Sequence, residues 1–387
     1  MENWIGFMEN ESLFSIAFRR FFRDPMAIAG MTGVLLLLIP ALYAPFIANG
    51  RPLFMIDASG GVSMPFLRSF FAPDSTEVII EQLFNYLAVF LLLFIASCRL
   101  KYRNVFRTAA AVILILPFLF VAPKIDKKDY RSETSKALFT LFAPIPYGPF
   151  EMTAPPFEGP SGRHWLGADE VGRSVAARMI YGARASLAVG LIATVISMLI
   201  GATVGLIAGF YRNVVDLVVM RVVEILMCFP TFLLLLILMS LLGDRQFEQS
   251  ILIVIGVIGL TGWIGLAFLV RGETLKQRSL PYVQSCEVTG VSPCRIMFCH
   301  LLPNITGPIL ISFTFGVAGA ILAESGLSFL GFGVQPPTAS WGGLLRQAFD
   351  NPLDYWHLTF FPGVALFIAV ISFNFLGEGM RRSLDVK

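Results

Sequence analysis

The chain has 387 residues, of which 56% are hydrophobic and 14% charged, with 36 Phe and a mean hydropathy of +0.74. A soluble domain carries about a quarter charged residues, so this composition excludes a water-exposed surface over most of the molecule and assigns lipid as its solvent. The net charge of +3 is too small and too dispersed for a nucleic-acid partner; Lys and Arg gather instead in short segments between apolar runs, the pattern that encodes membrane orientation.

The first apolar run, 26–48, follows Arg19, Arg20 and Arg23 and is longer than the roughly 7–15 residues of a signal-peptide core. It is expected to remain as an anchor. Crossing about 30 Å of hydrocarbon takes about 20 residues, which predicts an all-α integral membrane protein of about eight helices. They lie near 26–48, 80–97, 108–123, 185–210, 214–242, 250–270, 306–332 and 357–378. The third is short and contains Pro117. If the helices alternate, four basic clusters share one side: the N-terminal arginines, Arg99/Lys101/Arg103/Arg107, Arg271/Lys276/Arg278/Arg295 and Arg381/Arg382. The positive-inside rule makes that side cytosolic, with both termini. Between the third and fourth helices, Pro144, Pro146, Gly148, Pro149, Pro155, Pro156, Gly159 and Pro160 mark an irregular outward-facing loop. It divides the chain into 1–160, an anchor helix, an extra transmembrane hairpin and an extracytoplasmic loop, and 161–387, a membrane core with a cytosolic loop at 271–305.

Within that loop, Ser279 is expected to cap a helix whose first turn holds Pro281, and Gly290 to end it in the left-handed conformation. Ser292 then caps a second helix with Pro293 at its first position, and Pro303 stops it. Val283, Cys286, Ile296, Cys299 and Leu301 give both pieces an apolar side. The residues alone leave two uses for that side open, docking into a partner's groove or lying on lipid headgroups.

Other candidates carry less chemistry. Cys98, Cys228, Cys286, Cys294 and Cys299 form no disulfide framework, and the C-x7-C-x4-C-H spacing ending at His300 matches no zinc pattern, so no metal is expected. Gly167–Ser174 nearly fits a phosphate loop, but Arg173 replaces the lysine and no strand precedes it. With no HExxH or GxSxG either, the chain reads as non-catalytic, and any ATP must be used by another chain. Glu324, a carboxylate inside a span, has two readings: a residue of the translocation pathway, with Ser328 beside it, or a hydrogen-bonded structural group. Arg221 and Glu224, three apart on one helix, are expected to pair. Gly201, Gly205 and Gly209, and Gly316 with Ala320, are spaced for close helix packing.

Three runs carry a resemblance. YVQSCEVTGVSPCRIMFCHLLPN resembles the coupling loop of binding-protein-dependent ABC importer permeases, with Gly290, Ile296, Leu302, Pro303 and Asn304 at the family's positions. Tyr282 opens the run, and Gln284, Ser285 and Cys286 stand where the family usually has Glu-Ala-Ala. AESGLSFLGFGVQPPTASWGGLL and HWLGADEVGRSVAARMIYGARASL resemble the C-type subunit of oligopeptide and dipeptide permeases, and FRRFFRDPMAIAG looks like that family's entry into its first helix. The hairpin at 80–123 is not part of the common pattern. The resemblance implies a six-helix type core importing peptides by alternating access. It also implies a homologous second permease subunit, two ABC ATPase subunits that hold ATP and Mg, an extracytoplasmic substrate-binding protein and a place in the bacterial inner membrane. Nickel or another small solute remains an alternative cargo, and a self-sufficient secondary transporter the alternative class.

Overall fold

The structure, a computed structural model, describes residues 13–56, 61–71, 77–97, 137–243 and 250–384. Among these, six helices are long and apolar enough to cross a membrane, and a bent pair supplies a seventh if counted as one span. The expected helix at 108–123, the cluster at Arg99–Arg107 and the short loop 244–249 lie outside the described residues.

Helix α1 (Leu13–Phe21) leads into α2 (Pro25–Leu42), which Asp24 caps by accepting from the N–H groups of Met26 and Ala27 at 2.8 and 3.0 Å. A short α3 (Ala44–Ile47), strands β1 (Phe54–Ile56) and β2 (Val62–Ser63), and α4 (Phe66–Phe71) precede α5 (Val78–Ser97), which coincides with the expected helix at 80–97. Strand β3 (Phe139–Leu141) completes a small antiparallel sheet in the order β2-β1-β3, with Met55 opposite both Ser63 and Thr140. Strands of two or three residues are too short to show alternation, so the purely helical expectation omitted this sheet.

The core begins with α6 (Val175–Tyr211), followed by α7 (Asn213–Met227) and α8 (Thr231–Gly243). The single span expected at 214–242 is in fact this pair, bent by 81°. Pro230 has no N–H to continue the ladder, and its ring disfavours helical geometry at Phe229. Next come α9 (Ser250–Thr261) and α10 (Trp263–Arg278), joined end to end, then the loop helices α11 (Pro281–Val288) and α12 (Pro293–Arg295). A π-helical stretch, Ile296–Leu301, runs directly into α13 (Leu302–Leu330); α14 (Trp341–Gln347) and α15 (Trp356–Leu384) end the chain.

Helix α6 is the hub, packed on α10 through its glycine stripe. A Cβ on Gly201 would lie 2.7 Å from the carbonyl oxygen of Trp263, and one on Gly209 2.7 Å from Thr274 Cβ. Lipid offers no hydrophobic force to bring helices together, so such close backbone approach is what holds them. The basic ends gather on one face: Arg382 lies 3.9 Å from Asp24, Arg271 Nη2 donates to Asp216 at 2.6 Å, and Arg278 bonds the carbonyl of Phe210. The opposite face carries the sheet and the loop 143–174.

Candidate functional site

On the basic face, α11, α12 and the π-helical stretch form a bent hairpin between α10 and α13. Gly290 makes the corner at φ +77°, where an added Cβ would meet nothing within 4 Å. It is therefore the backbone conformation, and not crowding, that selects glycine there. Pro281 and Pro293 sit in the first turns of their helices as expected, and Ser292 holds the cap position of α12 without a capping hydrogen bond from its side chain.

Three local expectations are corrected. Ser279 ends α10 and bonds back to the carbonyl of Lys276 at 2.7 Å, so Leu280 takes the cap position of α11. Pro303 does not stop the helix. It falls in the first turn of α13, and the wider π turn just before it changes the hydrogen-bond register where a proline would otherwise clash with the preceding turn. Asn304 Nδ2 donates to the carbonyl of His300 at 2.7 Å, supplying a donor beside the missing N–H. The third correction concerns the apolar side. Val283, Ile296 and Leu301 are buried against Leu206, Phe210, Leu266 and Val270 of this same chain, with Cys286 and Leu302 packed at the edge, whereas Cys299 is exposed and takes no part. That side is a footing and is not free to enter a partner's groove.

What the hairpin presents outward is its tip. Gln284, Ser285, Glu287, Thr289 and Gly290 are exposed, and Val288, an apolar side chain, is 88% exposed. Gln284 Nε2 donates to the carbonyl of Ser279 at 3.3 Å and Ser285 Oγ to that of Pro281 at 2.9 Å, which holds the first turn of α11. Tyr282 donates to Gln277 Oε1 at 3.1 Å and accepts from Asn304 Nδ2 at 3.3 Å, tying α11 to the start of α13. Burial pushes its hydroxyl pKa up, so it stays a neutral donor. Arg278, which gives no distinguishing signal in the sequence, reaches Glu287 Oε1 at 3.2 Å and lies 4.8 Å from the ring of Phe210. It links the hairpin to the end of α6.

The two residues expected on a pathway lie inside the helix packing. Glu324 is fully buried, accepting from Ser186 Oγ at 2.8 Å, Ser328 Oγ at 2.7 Å and Ser325 Oγ at 3.3 Å. Ser328 also receives the N–H of Val334 at 3.0 Å. The geometry matches the structural reading of Glu324, a carboxylate that ties α6 to α13. Arg221 and Glu224 do pair, at 2.6 Å, with side chains 68% and 58% exposed.

A cavity of about 420 Å³ opens between α6, α8, the α9–α10 junction and α13. Neither Glu324 nor Ser328 lines it, although Ala323 does. The phosphate-loop look-alike has a plain structural use. Gly167 and Gly172 turn at φ +84° and +81°, and Asp169 accepts from the N–H groups of Val171 and Arg173 and from Arg173 Nε at 2.7 Å, with Arg178 Nε 3.1 Å away.

Arg184 is a further residue that sequence reasoning passed over. It is buried within α6, donating to the carbonyls of Ala41 at 2.6 Å and Leu42 at 3.1 Å and to Asn85 Oδ1 at 2.8 Å. Its guanidinium serves carbonyls at the end of α2 that have no partner within that helix, and it joins both the anchor helix and α5 to the core. The sequence signal was a lone arginine within an apolar run.

Residues 201–387 match the family model of the binding-protein-dependent transport system inner membrane component, and residues 12–58 that of the N-terminal transmembrane domain of oligopeptide transport permease C. The chain is 40% identical over 229 residues to the dipeptide transport system permease protein DppC of Bacillus subtilis, covering 59% of this chain and 70% of that one. It is 36% identical over 230 residues to the glutathione transport system permease protein GsiD of Pectobacterium atrosepticum, covering 59% and 75%.

Proposed function

The chain belongs to the family of inner-membrane components of binding-protein-dependent transport systems, and from that premise we propose that Pro281–Asn304 is the element through which separate ATPase chains drive it. It is a multi-pass permease subunit of an ABC importer in the bacterial inner membrane. The cargo we assign is peptide, by analogy with relatives named for dipeptide and glutathione transport. The partners are a homologous second permease, two ATPases holding ATP and Mg, and an extracytoplasmic binding protein.

One observation carries the reading. The hairpin's apolar side is consumed by its own footing, while a polar tip with the exposed Val288 projects from the basic face. Each buried footing residue contributes about 1.5–3 kcal/mol of apolar burial, so the hairpin moves with α6, α10 and α13 and not independently of them. A push on the tip is thereby delivered to the helices around the cavity. The positive-inside rule supports the cytosolic side for the tip and both termini, because Arg278, Arg295, Arg381 and Arg382 share that face. In this scheme nucleotide acts by binding one arrangement of the paired ATPases better than the other, which shifts the permease between its two openings. Gln284, a neutral amide, contacts the ATPase by hydrogen bonding where the family's usual glutamate would contribute charge.

The test is Gly290→Val. A β-branched residue in the left-handed region costs about 1–2 kcal/mol, which reshapes the corner without touching the footing. ATPase association in detergent and peptide uptake should both fall, while Gly290→Asn, which tolerates this backbone, retains both. Unchanged association and uptake in Gly290→Val would remove the docking role.

A further inference from the structure

A broken membrane helix and a glycine junction meet at the cavity described above. Thr231 begins α8 just after the 81° bend, Thr261 and Gly262 form the α9–α10 junction, and all three line the cavity. At about 1.5 Å per residue, Ser197 lies roughly 20 Å along α6 from its basic end at Tyr211, and Gly265 roughly 20 Å along α10 from Arg278. Both junctions are therefore within the hydrocarbon interior. The bend between α7 and α8 leaves helical geometry, and backbone that does so at such depth is tolerated where protein covers it or where it borders water; the α9–α10 junction keeps it, with Gly262 at φ −75° and ψ −8°.

The chemistry of the lining is narrow. It contains no Asp, Glu, Lys, Arg or His among the described residues. Thr194 Oγ1 donates to Gly190 at 2.6 Å, Ser197 Oγ to Gly259 at 2.9 Å and Thr261 Oγ1 to Val257 at 2.7 Å. Each of these donors is committed to a carbonyl, which leaves its hydroxyl oxygen as an acceptor. Ser312 and Thr231 also line the cavity, and their hydroxyls can donate as well as accept. Neutral acceptors and donors of this kind match the N–H and C=O groups of a peptide main chain. They provide nothing to attract or repel a charged side chain.

We propose that this cavity is where the chain contacts its cargo, and that it reads the peptide main chain through neutral hydroxyls while leaving side-chain charge unread. The proposal rests on peptide import as the function. Two glycines of the lining allow it to be tested cleanly, because a Cβ on Gly319 of α13 or Gly265 of α10 would meet nothing within 4 Å. A larger side chain at either position fills the cavity without disturbing the packing behind it.

The complete transporter, with its own partner permease, ATPases and binding protein, is reconstituted in liposomes and supplied with Ala-Ala-Ala, Ala-Glu-Ala or Ala-Lys-Ala at saturating binding protein. The wild type should import all three at rates within about threefold of one another, a barrier difference of about RT. Gly319→Phe and Gly265→Phe should each lower uptake of all three by at least about tenfold with assembly of the complex retained. Gly363→Phe, on α15 away from the cavity and equally uncrowded, should leave uptake unchanged. Ser312→Asp should create selectivity, slowing Ala-Glu-Ala at least about tenfold relative to Ala-Lys-Ala. Normal uptake in both Phe variants, or equal treatment of acidic and basic peptides by Ser312→Asp, would overturn the proposal. A wild-type complex that imports none of the three would instead overturn peptide import itself.

Discussion

On the face opposite the basic one, the loop 143–174 is fastened by charge: Asp169 is fully buried and holds Arg173 and Arg178, which are themselves 5% and 3% exposed. On the basic face, the hairpin 281–304 stands on apolar side chains, and the ion pair that steadies it, Arg278–Glu287, is partly open to solvent. Charges taken out of water must be fully paired, so the first arrangement tolerates almost no change and fixes one conformation. Apolar contact is non-directional and an open ion pair is weak, so the second keeps the hairpin attached while leaving its tip available. The difference separates a region built to stay shut from one built to be handled by another protein.

The largest effect should come from breaking the charged side. Asp169→Asn keeps an acceptor for the two backbone N–H groups but strands two buried guanidiniums, a loss of about 3–5 kcal/mol. It should appear as a lower thermal unfolding midpoint in detergent or as failure to accumulate in the membrane. Arg184→Met should have a smaller effect than either Asp169→Asn or the footing change Leu301→Ala. It leaves the carbonyls of Ala41 and Leu42 and the Asn85 side chain without their donor, at about 1–3 kcal/mol for the unmet groups. Protease should then release the segment before residue 137 from the core more readily. Leu301→Ala, in the hairpin footing, should cost about 2–5 kcal/mol at most and should loosen the tip, seen as faster hydrogen exchange in 281–296 with the loop 143–174 unchanged. The smallest effect belongs to Arg221→Gln: an exposed pair is worth about 0.2–1 kcal/mol, and the unfolding midpoint should hardly move. A large shift there would mean that the exposed charges of α7 do more than pair with each other.

The parts of this fold legible in the sequence were those governed by one physical effect acting alone. Long apolar runs predicted each span that the described residues contain, and Gly290 announced a left-handed corner because so few residues adopt one. The glycines of α6 likewise announced close packing. Where two effects compete, the outcome was hidden. Pro230 lies within an apolar stretch long enough for a span, yet it breaks the helix by 81°, whereas Pro303, which resembles a stop, is absorbed by a π turn. Arg184 and Glu324 are both charges in apolar helices. Whether such a group faces a pathway or a ring of local donors and acceptors depends on neighbours 138 to 143 residues away in sequence. The hairpin's apolar side was visible as a pattern, but a pattern does not say whether it meets another protein or its own chain.

The central claim is that the hairpin tip projects on the ATP-bearing side of the membrane. Cys294 on that hairpin is exposed, which allows a direct measurement in a variant retaining it as the sole cysteine. A membrane-impermeant thiol reagent is applied to right-side-out and to inside-out vesicles. Labelling in inside-out vesicles alone, reduced when the ATPases are bound, is the predicted result; labelling from outside intact vesicles would invert the topology and contradict the account.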